Sequence, residues 1–164
     1  LWIATLLVMM LATEDIFLED FNDGSLDQMA IKYSSLSGVI AMKIFVYWLL
    51  IGLPISLIGS LYGFGMTSSV KIAIQLIPIL MIVTYIFLNV FSFGNALSLT
   101  KGSILGILIT MPLVLPLLVV LGKVVVAINL GMNFLGFLFL LLGILSIIIL
   151  VLTLIISFFI KSHL

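Results

Sequence analysis

The sequence of 164 residues contains no cysteine. Disulfides, thiolate metal sites and cysteine nucleophiles are therefore excluded, and the redox compartment is left open. It contains no arginine either, since its six basic residues are all lysine. Charge of both signs is scarce, at 7% of residues, against roughly 25% in a soluble globular domain. The formal net charge is zero, which leaves no electrostatic footprint for nucleic acid. No G-x-x-x-x-G-K-[ST] loop is present to cradle a nucleotide phosphate. Lys101-Gly102-Ser103 fails because the upstream glycine spacing is wrong. The sole histidine, His163, lies in the tail and reads as a solvated terminal residue rather than a ligand. No metal site and no catalytic residue are expected.

What remains is grease: 65% of residues are hydrophobic. A soluble chain of this length has too little interior to hide that much apolar surface. Lipid can accept it. A hydrocarbon core of about 30 Å needs about 20 apolar residues of helix, and residues 44–64, 72–93 and 104–121 meet that need. A fourth run, 134–160, carries no charge and is long enough to tilt, or to bend near Gly143. Residues 1–12 are apolar but too short to span alone. With neither a basic leader nor a small-residue cleavage site, they read as the second half of a helix that begins upstream. The expectation is an all-α polytopic transmembrane bundle forming one domain over residues 1–164. Lysine asymmetry places Lys32, Lys43, Lys101 and Lys161 inside and Lys71 and Lys123 outside, so residues 13–43 form a cytoplasmic loop.

All six acids lie in that loop: Glu14, Asp15, Glu19, Asp20, Asp23 and Asp27. One reading is a solvated loop, charged because it meets water. The local order offers another. Asp23-Gly24 is a turn signal, and Ser25 with Gln28 forms an S-x-x-Q capping box, so a short helix should start at about Leu26. Asp23 and Asp27 would sit by the positive end of its dipole. Leu26, Met29, Tyr33, Leu36 and Ile40 then form one apolar stripe at spacings of three and four. Such a helix can lie on a membrane or dock into a partner. The neighbouring acids repel anionic headgroups and favour a soluble partner with a basic, apolar groove.

Within the spans, Gly52, Ser56 and Ser60, with Gly59 and Gly63 beside them, form a small-residue ridge for close helix packing. Pro54, Pro78, Pro112 and Pro116 each remove a backbone donor and should bend their helices. For Pro112 and Pro116 an ordinary kink buried by neighbours is favoured, with a broken helix lining a path as the alternative. Asn89, Ser92, Asn95 and Ser98 recur every third residue and read as interfacial hydrogen-bonding groups, with a substrate or partner surface as the alternative. No carboxylate lies within a span, so a proton-coupled transporter is the weaker expectation, resting on a relay by Lys, Asn, Ser or Thr.

The stretch FNDGSLDQM, residues 21–29, resembles the [aromatic]-E-D-G-[ST]-L-E-Q-L signature of the haem exporter protein B family. Three further segments agree in order and spacing: MKIFVYWLLIGLPI (42–55), SFGNALSLTKGS (92–103) and MPLVLPLLVVLG (111–122). The resemblance implies an ABC-2-like exporter membrane subunit of about six helices, four of them complete here and one partial. It implies a role in cytochrome c maturation, a separate ATPase subunit handling ATP, and further membrane subunits of the same complex. Haem is the possible substrate, and the location is a bacterial or mitochondrial inner membrane. By position, Asp23, Gly24, Ser25, Leu26, Asp27, Gln28 and Met29 would contact the ATPase, with Lys101 a basic contact on the next inner loop.

The chain departs from the family pattern at Asn22, Asp27 and Thr100-Lys101. It also has Tyr47 beside Trp48 where the family has His beside Trp, which removes a candidate haem ligand. Two other classes stay open: a general ABC exporter of lipid or drug, and a non-transporting assembly subunit.

Overall fold

The computed structural model describes residues 2–14, 16–33, 35–101, 103–133 and 135–161. Within these it describes every side chain except those of Asp27, Ala30, Thr100, Lys101, Ser103, Ile104, Leu105, Ile107 and Lys161. The described residues contain helices and no strand. In chain order these are α1 (Trp2–Ala12), α2 (Leu18–Asn22), α3 (Ser25–Lys32) and α4 (Leu36–Tyr47), then a π-helical turn (Trp48–Gly52). There follow α5 (Leu53–Thr67), α6 (Val70–Lys101), α7 (Ser103–Asn129) and α8 (Leu135–Lys161). Since α4, the π turn and α5 form one continuous rod, four helices are long and apolar enough to cross a membrane: Leu36–Thr67, Val70–Leu99, Leu108–Asn129 and Leu135–Ile160. The expected all-α membrane bundle is the observed one.

Helix α6 is the hub. α1, α4, α5, the π turn, α7 and α8 all pack against it. A helix apolar on every face can be covered on every face, and Ile79, Leu80, Val83, Ile86, Phe87 and Leu88 on α6 are fully buried. The other three spans each bury one stripe. Their outward residues, such as Leu50, Leu61, Ile147 and Phe158, are exposed as lipid-facing side chains must be.

The first span starts earlier than apolarity alone predicts. Ser35 caps α4, its hydroxyl oxygen accepting from the Gly38 N–H at 3.3 Å, so the helix begins at Leu36 rather than near residue 44. Tyr33 is extended and ends α3. The stripe expected on one helix is thus divided: Leu26 and Met29 lie on α3, Leu36 and Ile40 on α4.

The proline effects are uneven. Pro54 lacks an N–H and crowds the carbonyl four residues back, and the turn just before it widens: the Leu53 N–H donates to the Trp48 carbonyl, five residues back. By contrast α7 runs unbroken through Pro112 and Pro116, and both prolines are exposed. The helix is not broken there, and neighbours within the described residues do not bury the two prolines. Helix α6 likewise continues through Pro78, and α8 through Gly143.

Candidate functional site

The acidic segment does not hang free. Thr13 closes α1, its hydroxyl donating to the Met9 carbonyl at 2.9 Å. The chain then turns back beneath the bundle, where Ile16 and Phe17 are fully buried. Asn95 of α6 holds this turn with both ends of its side-chain amide. Its oxygen accepts from the Phe17 N–H at 3.2 Å, and its nitrogen donates to the Glu14 carbonyl. On the other side Lys43 of α4 forms an ion pair with Asp20 of α2, the only one among the described residues. The Lys43 ammonium also lies 5.7 Å from the centre of the Phe17 ring and 6.0 Å from that of Tyr47.

The turn from α2 to α3 follows from Asp23-Gly24, but not through the expected box. Gly24 adopts φ +75°, a conformation glycine enters without steric cost. It is the N-cap, and Ser25 is the first helical residue. The capping oxygen is Asp23 Oδ1, which accepts from the Ser25 N–H at 2.9 Å. The Ser25 hydroxyl instead donates to the Asp20 carbonyl at 3.3 Å, tying α3 back onto α2. The Ser25 N–H holds the Asp23 carboxyl below the ordinary aspartate range. Lys43 adds a weaker pull.

The apolar positions of α3 divide between two environments. Leu26 is 2% exposed and Met29 packs against the core, so the stripe faces this chain's own bundle and not a partner. The outward face is Gln28, Ile31 and Lys32, with Asp23 and Tyr33 flanking it. Ile31 is 88% exposed. Pattern reading missed it because it lies off the stripe. Asp27 lies within α3 and Lys101 ends α6, but their side chains, like His163 as a whole, fall outside the description.

Beside the tether is a cavity of about 480 Å³ lined by Glu14, Leu18, Asn22, Asn95, Ser98 and Thr110 among others. Of the polar row on α6, Asn89 and Ser98 bond within their own helix, to the Tyr85 and Asn95 carbonyls. Ser92 is buried with no partner for its hydroxyl. Asn95 is the member of the row that reaches another segment. One residue before it, Gly94 meets α7 so closely that a Cβ added at Gly106 would strike the Gly94 carbonyl.

Farther into the membrane, Gly52, Ser56, Gly59, Ser60 and Gly63 are all buried, and α5 packs on α6. The two serines donate to carbonyls three residues back, Ser56 to Leu53 at 2.7 Å and Ser60 to Leu57 at 2.8 Å. Trp48 covers Gly52, where a Cβ would collide with the indole. Its ring lies 5.3 Å from Tyr85 and 5.8 Å from Phe45. No group of three or more His, Cys, Asp or Glu that could hold a metal occurs among the described residues.

Comparison with known proteins gives one consistent result. A family described as CcmB protein matches residues 1–162. Heme exporter protein B of Haemophilus influenzae is 32% identical over 137 residues, covering 82% of this chain and 62% of the relative. Heme exporter protein B of Paracoccus denitrificans is 33% identical over 121 residues, covering 73% and 56%. The Pseudomonas aeruginosa protein of the same name is 29% identical over 120 residues, covering 72% and 54%. The chain thus spans a little over half the length of the curated relatives it matches. No solved structure matches it.

Proposed function

The chain belongs to the CcmB protein family, and on that premise we propose that it is the membrane subunit of an ABC-type haem exporter acting in cytochrome c maturation. ATP is hydrolysed by a separate subunit that docks on the acidic segment from the cytoplasm. Its rearrangement pushes α2 and α3, and the spans carry the motion. That motion moves haem across an inner membrane or frees a haem-loaded chaperone from a neighbouring membrane subunit. The chain itself performs no chemistry.

The observation that carries this reading is the family match along nearly the whole chain, joined to an acidic segment packed on the bundle and not loose beside it. The burial of Leu26 changes which residues should touch the ATPase. Asp23, Gln28 and Ile31 are exposed and become the expected contacts, with Ile31 as the apolar anchor and the acids steering a basic groove.

The test is co-purification of the full-length protein with its ATPase. Wild type should retain the partner, and Ile31→Glu combined with Asp23→Lys should release it while the protein still inserts. A wild-type protein that holds no ATPase, or a double variant that holds it equally well, would remove this reading.

A further inference from the structure

We propose that Asn95 is a positioning residue that transmits movement of the acidic segment to the central helix α6. The proposal rests on the docking of an ATPase at that segment, as argued above.

Four observations lead to it. First, Asn95 uses both functions of its amide, accepting from Phe17 N–H and donating to the Glu14 carbonyl. Both partners are backbone atoms, so it holds the path of the chain and not a particular side chain. An amide is the small group able to do this, because it carries a donor and an acceptor on one rigid plane.

Second, that interface is only partly close-packed: Ile16 and Phe17 are buried in it, but a cavity adjoins them. The cavity of about 480 Å³ lies between the segment and α6–α7. A push on the segment would be absorbed there if the Asn95 contacts were missing. Third, Gly94 leaves no slack on the other side, since its carbonyl abuts Gly106 of α7. Displacing Asn95 must displace α7 as well as α6. Fourth, α6 touches every other span, so motion delivered to it reaches the whole bundle. Lys43, paired with Asp20, gives a second attachment to α4 and keeps the segment in line while Asn95 transmits.

These 164 residues contain no cysteine, so labels can be placed among them without background from this stretch itself. Spin labels placed by Asn22→Cys and Leu108→Cys, both exposed positions, report the distance from segment to α7 in the full-length protein bound to its ATPase. In otherwise wild-type protein, ATP with a hydrolysis-blocking analogue should shift that distance. Asn95→Leu should keep the ATPase bound, abolish the shift and lower cytochrome c maturation several-fold, because both ends of the amide contact are lost. Asn95→Gln, which keeps the donor and the acceptor one methylene farther out, should fall between and guards against a folding defect. Ser98→Ala, whose hydroxyl bonds only within its own helix, should behave as wild type. Retention of the shift and of maturation in Asn95→Leu overturns the role of Asn95 and leaves ATPase docking standing. A wild-type protein that binds no ATPase overturns both.

Discussion

The indole nitrogen of Trp48 lies 3.1 Å from the hydroxyl oxygen of Thr84, joining the π turn to the middle of α6. The same N–H reaches the Met81 carbonyl at 3.2 Å. Thr84 is fully buried, and its own O–H donates to the Met81 carbonyl at 3.1 Å. Trp48→Phe and Thr84→Val should each cost about 1 kcal/mol, the usual net worth of one hydrogen bond. The double variant should cost less than the two together, because both remove the same bond. A double-mutant cycle on unfolding in detergent checks this.

The close approach of α6 and α7 makes two glycines of one helix behave oppositely. Gly106→Ala drives a methyl into the Gly94 carbonyl, a backbone atom that cannot swing aside, and should destabilise by about 1–3 kcal/mol. Gly122→Ala meets nothing within 4 Å, and should be neutral or stabilising by up to about 1 kcal/mol through helix propensity. Paired thermal melts of the two variants decide it. Equal melting temperatures would contradict the observed approach.

Leu26 and Ile31 offer a second contrast, on a single short helix. Leu26→Ala should cost about 2–5 kcal/mol as a core truncation, whereas Ile31→Ala should change stability by no more than about 0.5 kcal/mol. Retention of the ATPase should order the variants the other way among protein that folds. Measuring stability and co-purification on the same preparations separates the two effects.

Asp23 should titrate below its ordinary value, because Ser25 hydrogen-bonds its ionised form. A carboxyl depressed by folding contributes stability that is fully present above its unfolded pKa of about 3.9. That contribution fades as pH falls through the lower folded value. An NMR titration of the Asp23 carboxyl should give a midpoint below about 3.9. Asp23→Asn, which keeps an acceptor for the Ser25 N–H, should preserve the start of α3 better than Asp23→Ala. A midpoint at or above the ordinary value would show that the cap does not form.

The spans were legible in the sequence because length and apolarity are local properties: each long run became a helix, although three of them run about eight residues farther at one end. The break between α3 and α4 was not, since Leu26 to Ile40 keeps helical spacing whether it lies on one helix or two. Ser35, three residues before Gly38, was the cap signal that divides it. The acidic stretch was recognisable as the candidate site, yet which way its stripe faces depends on α4 and α6, far along the chain. Asn95 was readable only as one polar residue in a row of four. Its partners are 78 and 81 residues away, and no periodicity carries that distance. Pro54 announced a disturbed helix, but not that the turn before it would widen.

Leu36, Ile40, Ile44, Trp48, Gly52, Ser56 and Ser60 recur at every fourth residue, and all but the partly covered Trp48 are buried. An α-helix advances about 100° per residue, so each step of four overshoots a full circle by about 40°. Left alone, six such steps would carry Ser60 about 240° round the rod from Leu36. The wide turn at Trp48–Gly52 takes up one extra residue and returns about 100° of that drift. It is a partial phase corrector: about 140° of drift is left, and the buried line, packed mostly on α8 along α4, turns onto α6 along the π turn and α5. Losing one residue inside that turn would leave the two ends of the span in step, whereas the same loss elsewhere would swing one end away by about 100°.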